Sequence, residues 1–388
     1  MPDDNVSEVS TQSWFGRIAD SIKGMLFGGA LAAVAVFVLF WNEGRAVKRA
    51  EALQEGGGAV VTVSADKVDP ANEGKLVHLT GAATTTETLA DAEFGITTNA
   101  LKLRRVAEMY QWKETKSTSK EKNLGGSETT KTTYNYAQQW SDALIDSKPF
   151  KQPEGHTNPT ALPFPSRLVT AEKITVGAFT LSGSLAGKIN NFADLPVEQV
   201  EELPEPVRAK AKVHEQKVFV GTNPASPQTG DMRIGFKIAR PTGISFVARQ
   251  VKGTFEPYTT RNGGSLELLQ VGEFSAQAMF KRAEEANAML TWGLRLGGLI
   301  VMWIGFMLIA KPLAVLGDLV PFIGSLLEFG IGLLAFLLAG VISLVTVAIA
   351  WIVYRPVLGA ALLALAVALP FLLKRMRGGA KPAGQGVQ

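Results

Sequence analysis

The sequence predicts an α+β membrane protein, a four-helix transmembrane region with a large β-rich extramembrane domain inserted between spans 1 and 2. Three observations lead there. Four long apolar runs carry almost no charge, one near the start and three in the last quarter. The chain between the first and second runs reads as ordinary water-exposed sequence, and its apolar residues alternate with the period-two pattern of strands. The resulting division is a cytoplasmic N-terminal segment 1–23, span 1 at 24–41, the α+β domain 42–288 and span 2 at 289–310. An interfacial or re-entrant segment 311–329, span 3 at 330–354, span 4 at 357–373 and a basic tail 374–388 complete it.

Gly24–Trp41 is uncharged and just long enough for a hydrocarbon core of ~30 Å, which takes roughly 20 apolar helical residues. A cleaved signal peptide is the alternative, but the run ends in Phe40-Trp41-Asn42-Glu43, where a peptidase requires small residues. Met289–Ala310 contains one charge, Arg295, whose stem is long enough to snorkel toward the headgroups. Trp292 and Trp303 suit its rims. Gly330–Tyr354 is uncharged and closes on the interfacial residues Trp351 and Tyr354. Arg355-Pro356 alone separates it from Val357–Leu373, so the last two spans form a tight hairpin. Lys311–Phe329 is apolar but broken by Pro312, Asp318, Pro321 and Glu328, which suits sheltered irregular backbone rather than a crossing.

Four crossings set both termini on one face and 42–288 on the other. The positive-inside rule barely chooses between the two orientations. Arg17, Lys23, Lys311, Lys374, Arg375, Arg377 and Lys381 flank one face, and Arg45, Lys48, Arg49, Lys281, Arg282 and Arg355 the other. The dense cluster from Lys374 to Lys381 favours a cytoplasmic tail, anchored on anionic headgroups. A net charge of +4 is too small and dispersed for nucleic acid, and the absence of cysteine excludes disulfides and thiolate metal sites.

Within the large domain, Asn42–Glu55 continues the first helix and Gly56-Gly57-Gly58 is expected to stop it. Val60–Val63, Leu76–Thr80 and Leu101–Trp112 read as strands, and Tyr134, Tyr136, Gln138 and Trp140 line one face of another. The polar tip Glu114–Thr133 between these is expected to be mobile. Asp194–Glu215 is acidic and helix-compatible apart from its prolines. Ile234–Ile238, Ile244–Val251 and Leu266–Val271 are expected to form an antiparallel meander, with a tight turn at Asn262-Gly263. Phe274–Leu290 then leads helically into span 2.

No catalytic signature is present. His78, His156 and His214 lie far apart without ligand spacing, and no nucleophile elbow, phosphate loop or dinucleotide fingerprint occurs. Arg104-Arg105 with Glu108 suggests structural ion pairs. Neither a cofactor nor a metal is expected. Small residues carry more signal: Gly24 with Gly28, Gly293 with Gly297, and Ala335 with Ala339 each share a helix face and permit close backbone approach. Packing inside one bundle and contact between subunits both remain open for them. The expected membrane-interface residues are Trp41, Arg45, Lys48, Trp292, Arg295, Trp351, Tyr354, Arg355, Lys374, Arg375 and Arg377.

Several strings carry a resemblance. Asn42-Glu43-Gly44-Arg45-Ala46-Val47-Lys48 resembles the juxtamembrane signature of the LUMA family of membrane proteins. Asn72–His78, Leu101–Arg105, Glu108–Trp112, Gly155–Pro159, Gly230–Arg233, Val247–Gln250, Thr291–Arg295 and Tyr354–Pro356 continue it in order over roughly residues 40–360. The resemblance implies four spans, cytoplasmic or nucleoplasmic termini and a lumenal large domain. A bacterial member would sit in the inner membrane with a periplasmic domain, and eukaryotic relatives in the nuclear envelope or endoplasmic reticulum. It also implies a role in membrane organisation, with self-association and membrane-protein partners, and a channel role has been proposed for the family. The leading expectation is a non-enzymatic membrane scaffold, a homo-oligomer acting on membrane lipids or unidentified partner proteins. The alternative is an ion channel or channel subunit using the 311–329 segment.

Overall fold

The computed structural model describes residues 4–198, 203–318 and 321–357. Three helices among them are long and apolar enough to cross a membrane: α1 (Trp14–Ala59), α2 (Ala276–Gly317) and α3 (Pro321–Tyr354, spanning from Leu326). One is N-terminal and two are C-terminal, with a β-rich domain between them. This corrects the expected four-span arrangement with the domain inserted between spans 1 and 2. The expected fourth span, Val357–Leu373, lies outside the described residues save for Val357. The Lys311–Phe329 stretch is divided between helices. α2 passes through Pro312 to Gly317, and α3 begins at Pro321.

Contacts divide the chain into two compact units, one of residues 1–11, 52–121 and 129–283, the other of 12–51, 122–128 and 284–388. The first unit is built on strands β1 (Asn5–Gln12), β2 (Val61–Val63), β3 (Leu76–Thr84), β4 (Lys102–Lys122) and β5 (Glu128–Ser141). Further along come β6 (Arg167–Thr170), β7 (Ala211–His214), β8 (Lys217–Val220), β9 (Met232–Ala239), β10 (Thr242–Val251), β11 (Thr254–Glu256) and β12 (Leu268–Val271). One sheet runs β1-β5-β4-β9-β8-β7, with β6 on β4 and Ala193–Leu195 on β9. The other centres on β3-β10-β11, with β2 parallel to β3 and β12 on β10.

Alternation fixes which faces meet. Along β4, Leu103, Ala107 and Met109 are buried, and along β9 so are Ile234, Phe236 and Ile238. They share one core with Val77 and Leu79 of β3 and Ile244, Phe246 and Ala248 of β10. Two polar side chains on that face of β4 are hydrogen-bonded. Arg105 reaches Asp91, Glu93 and the Pro165 carbonyl, while Gln111 pairs with the Ala143 carbonyl and the Ile145 N–H. Glu108, pointing the other way, takes a bidentate bond from Arg233 directly across the ladder at 2.6 and 3.0 Å.

Several expectations give way to packing. The chain turns at Pro241 from one sheet into the other, so β9 and β10 are not neighbours in a meander. Asp194–Glu215 holds a strand, the short helix Glu205–Arg208 and β7 rather than one broken helix. Gly56-Gly57-Gly58 does not stop α1, although each glycine costs a helix about 1 kcal/mol against alanine. Gly56 instead admits Leu266 and Phe280 against the helix, in a cluster that also holds Leu53, Leu76, Val247 and Met279.

The largest departure is at the N-terminus. Residues 5–12, expected across the membrane from 42–288, form β1 and pair with β5 of the large sheet. Ser7 and Thr133 hydroxyls meet at 3.1 Å, and Lys151 pairs with Glu8 at 2.8 Å. Residues 4–11 thus belong to the same compact unit as the strands of the large domain.

Because the natural chain has no cysteine, this pairing has a clean test. Ser7→Cys with Thr133→Cys is expected to form an intrachain disulfide under mild oxidation, read as a gel shift reversed by reductant. Two thiols that stay independently alkylatable would remove β1 from the sheet.

Candidate functional site

The helical unit carries a polar network where the apolar run of α1 ends. Asn42 and Glu43 are both completely buried. The Glu43 carboxylate receives Nε and Nη2 of Arg295 at 2.7 and 2.8 Å, and the Trp351 indole N–H at 2.7 Å. Asn42 donates to the Thr291 carbonyl at 3.1 Å. Arg45 donates to Asn287, Thr291 and Asn42, and Asn287 returns a bond to the Ala46 carbonyl. Three helices are thereby pinned by one carboxylate. The Arg295 guanidinium also lies 4.7 Å from the Trp292 ring and 5.7 Å from that of Trp351. Arg295 therefore does not snorkel away from the helices, because its counter-charge is on α1.

Glycines set the helix spacing around this network. A Cβ on Gly44 would stand 2.5 Å from the Tyr354 ring, and one on Gly28 would stand 2.5 Å from the Gly305 carbonyl oxygen. Gly298 meets Leu39 in the same way. Ala335 and Ala339 are buried. Gly24, Gly293 and Gly297 behave differently, since among the described residues a Cβ there meets nothing within 4 Å. Trp41 and Trp292 are exposed, whereas Trp351 and Tyr354 turn partly inward. Arg355 is exposed with its guanidinium 6.0 Å from the Trp351 ring. Lys374, Arg375 and Arg377 lie outside the described residues.

A second charged cluster occupies the other end of the same helices, about 39 Å along α1 from Glu43 at 1.5 Å per residue. Arg17 pairs with Asp318 and donates to the Gly126 carbonyl at 2.6 Å. Lys122 reaches Asp318 at 3.0 Å and Glu328 at 2.7 Å. Burial opposes the Lys122 charge, but the two carboxylates outweigh it and raise its pKa. The expected mobile excursion Glu114–Thr133 is therefore mostly paired strand, and its short tip is held by Trp14, Arg17 and Asp318. The two clusters lie farther apart than the ~30 Å thickness of a hydrocarbon core.

The strings that carried the resemblance converge in space. Asn42–Arg45, Thr291–Arg295 and Tyr354–Pro356 meet at the Glu43 network. In the first unit, Asn158 bonds the N–H and carbonyl of Trp112 at 2.7 and 2.8 Å, and His156 stacks on Tyr136 while binding Asp4 at 2.8 Å. Asn72–His78 pairs with Val247–Gln250 through the Gly74 N–H and the Gln250 carbonyl. Comparison with known proteins agrees. The family described as Transmembrane protein 43 matches residues 109–356. Transmembrane protein 43 of Homo sapiens is 35% identical over 387 residues, covering 97% of this chain and 95% of that protein.

The chain belongs to the Transmembrane protein 43 family.

This is the LUMA family of the resemblance. The Rattus norvegicus Transmembrane protein 43 is 36% identical, covering 93% of this chain and 92% of its own. The Drosophila melanogaster homolog is 33% identical, covering 89% and 93%. No solved structure matches.

In this family member His78 and His156 are both hydrogen-bonded within the fold. Among the described residues no three metal-ligating side chains gather. His78 donates from Nε2 to the Phe274 carbonyl at 2.8 Å, so its Nδ1 is the unprotonated nitrogen toward Thr62. Burial lowers the His78 pKa, partly offset by that carbonyl. His214 sits exposed at the β7–β8 turn.

Two outcomes are expected. Glu43→Gln or Arg295→Met alone should destabilise the helical unit by about 3–5 kcal/mol, because each strands a buried partner. Glu43→Leu with Arg295→Met should recover most of that in a detergent melt. Additive losses would show that the pair is not coupled. The lowered His78 pKa means the unfolded chain takes a proton first, so domain stability is full above the ordinary histidine value near ~6.5. It should fall as the pH drops below that value, and His78→Gln should flatten the profile. An unchanged profile in that variant would place the titration elsewhere.

Proposed function

We propose that this chain is a non-enzymatic integral membrane scaffold that self-associates and organises membrane lipids or partner proteins. The supporting observation is the division among its small residues. Gly28 and Gly305 are consumed by packing inside the chain, while Gly293 and Gly297 on α2 have open space beside them among the described residues. Lipid tails give helices no hydrophobic reason to associate, so close backbone approach at such a pair is the main available drive. A second copy of this chain is the proposed occupant of that face. The polar network behind it holds α1, α2 and α3 in one arrangement, which suits a rigid surface for assembly. The channel alternative draws no support from Asp318 and Glu328, whose carboxylates are engaged by Arg17 and Lys122. In a bacterium this reading sets the protein in the inner membrane with the large domain in the periplasm, and in a eukaryote in the nuclear envelope or endoplasmic reticulum.

The test is the mass of the particle extracted in mild detergent. Gly293→Ile with Gly297→Ile is expected to shift it to smaller size while the far-ultraviolet circular dichroism of the β-rich domain stays unchanged. A wild-type particle of one subunit would overturn the scaffold reading, and an unchanged mass in the double variant would remove this face from it.

A further inference from the structure

A cavity of about 430 Å³ opens on the side of the helical unit between α2 and α3, with Leu39 of α1 as its floor. Leu296, Leu299, Leu344 and Val347 form its walls, and Gly340 leaves its inner end open, since among the described residues a Cβ there meets nothing within 4 Å. Trp292 and Trp351 bracket the other end. From Gly340 to Trp351 the groove runs about 16 Å along α3, roughly half of a ~30 Å hydrocarbon core. It is thus as deep as one leaflet. The size falls within the range of small-ligand sites, about 300–1,000 Å³, and the walls offer almost nothing polar to hold water.

The mouth adds charge. Arg295 lies there, but both of its donors toward α1 are taken by Glu43. Arg355, one turn beyond Trp351, is exposed, with its guanidinium 6.0 Å from that indole. A tryptophan pair at the interface with a cation just outside it, above an apolar slot one leaflet deep, fits one molecular shape. We propose that this groove binds an acyl chain of an anionic glycerophospholipid, with its phosphate on Arg355 and the chain lying between Leu296 and Leu344. Zwitterionic lipid enters the same slot but lacks the net charge that Arg355 favours. The site rests on the lipid arm of the proposed scaffold function and is a property of each chain, independent of how many chains assemble.

The experiment is native mass spectrometry of the full chain after incubation in mixed micelles of equimolar dioleoyl phosphatidylglycerol and dioleoyl phosphatidylcholine. The wild type is expected to retain phospholipid, with phosphatidylglycerol in excess. Gly340→Phe should fill the inner end and abolish retention of both lipids, while Leu334→Phe, on an exposed position outside the groove, should leave retention as in the wild type. Arg355→Gln should keep the bound chain but lower the preference for phosphatidylglycerol about fivefold, the equivalent of the ~1 kcal/mol that one basic residue contributes near an anionic surface. Retention unchanged by Gly340→Phe would overturn the site, as would a preference unchanged by Arg355→Gln, which needs no change in the packed helices. A smaller particle with lipid retention intact in Gly340→Phe would assign the groove to a second copy instead. Particle mass in the same spectra reports self-association separately, so failure of one reading is distinguishable from failure of the other.

Discussion

Glu43 is a fully buried carboxylate at the end of an apolar helix, and the helical unit is organised around satisfying it. An isolated charge in such surroundings is prohibitively costly, whereas a bidentate guanidinium plus an indole N–H fills its lone pairs. Each donor comes from a different helix, so the azimuth of α2 and of α3 about α1 is set together. Replacing such a pair with apolar residues often leaves stability unchanged or improved. Its value therefore lies in specifying one arrangement of three greasy helices that otherwise pack in many ways.

Close backbone contact completes that specification. Gly44 lets Tyr354 lie against α1 beside the carboxylate, and Gly28 with Gly305 brings α1 and α2 together farther along. Polar bonds fix direction, and glycine fixes distance. In the β-rich unit the same division holds: alternation along β4 and β9 supplies the core, while Arg105, Gln111 and Asn158 satisfy the buried polar groups that the core encloses.

Local pattern made much of this legible. Three of the expected spans coincide with α1, α2 and α3, and the period-two stretches around Val77, Ala107, Phe236 and Phe246 are strands. The Asn262-Gly263 turn is present, with Gly263 at φ 75°. What escaped notice depended on partners distant in sequence. β1 was not expected within segment 1–23 because the strand it pairs with, β5, lies far along the chain. The glycine triplet looked like a stop because the side chains filling its space, Leu266 and Phe280, come from over 200 residues later. The Glu43 network was the most recoverable omission. A lone arginine inside a span calls for a counter-charge, and the acidic residue nearest an end of span 1 was Glu43. The helix-packing glycines could not be sorted by spacing, since Gly28 and Gly293 share the same motif and face different surroundings.

Glu43 and Arg295 are 252 residues apart in the chain. During synthesis at about 5–20 residues per second, the carboxylate emerges roughly 10–50 s before its guanidinium exists. Span 1 must enter the bilayer with that charge held in the headgroup region, and only later does the arrival of α2 allow it to be drawn under Trp351. The bidentate pairing of the helices is thereby deferred until the large domain between them has been made, and a chain that ends before residue 295 has the acid without its guanidinium.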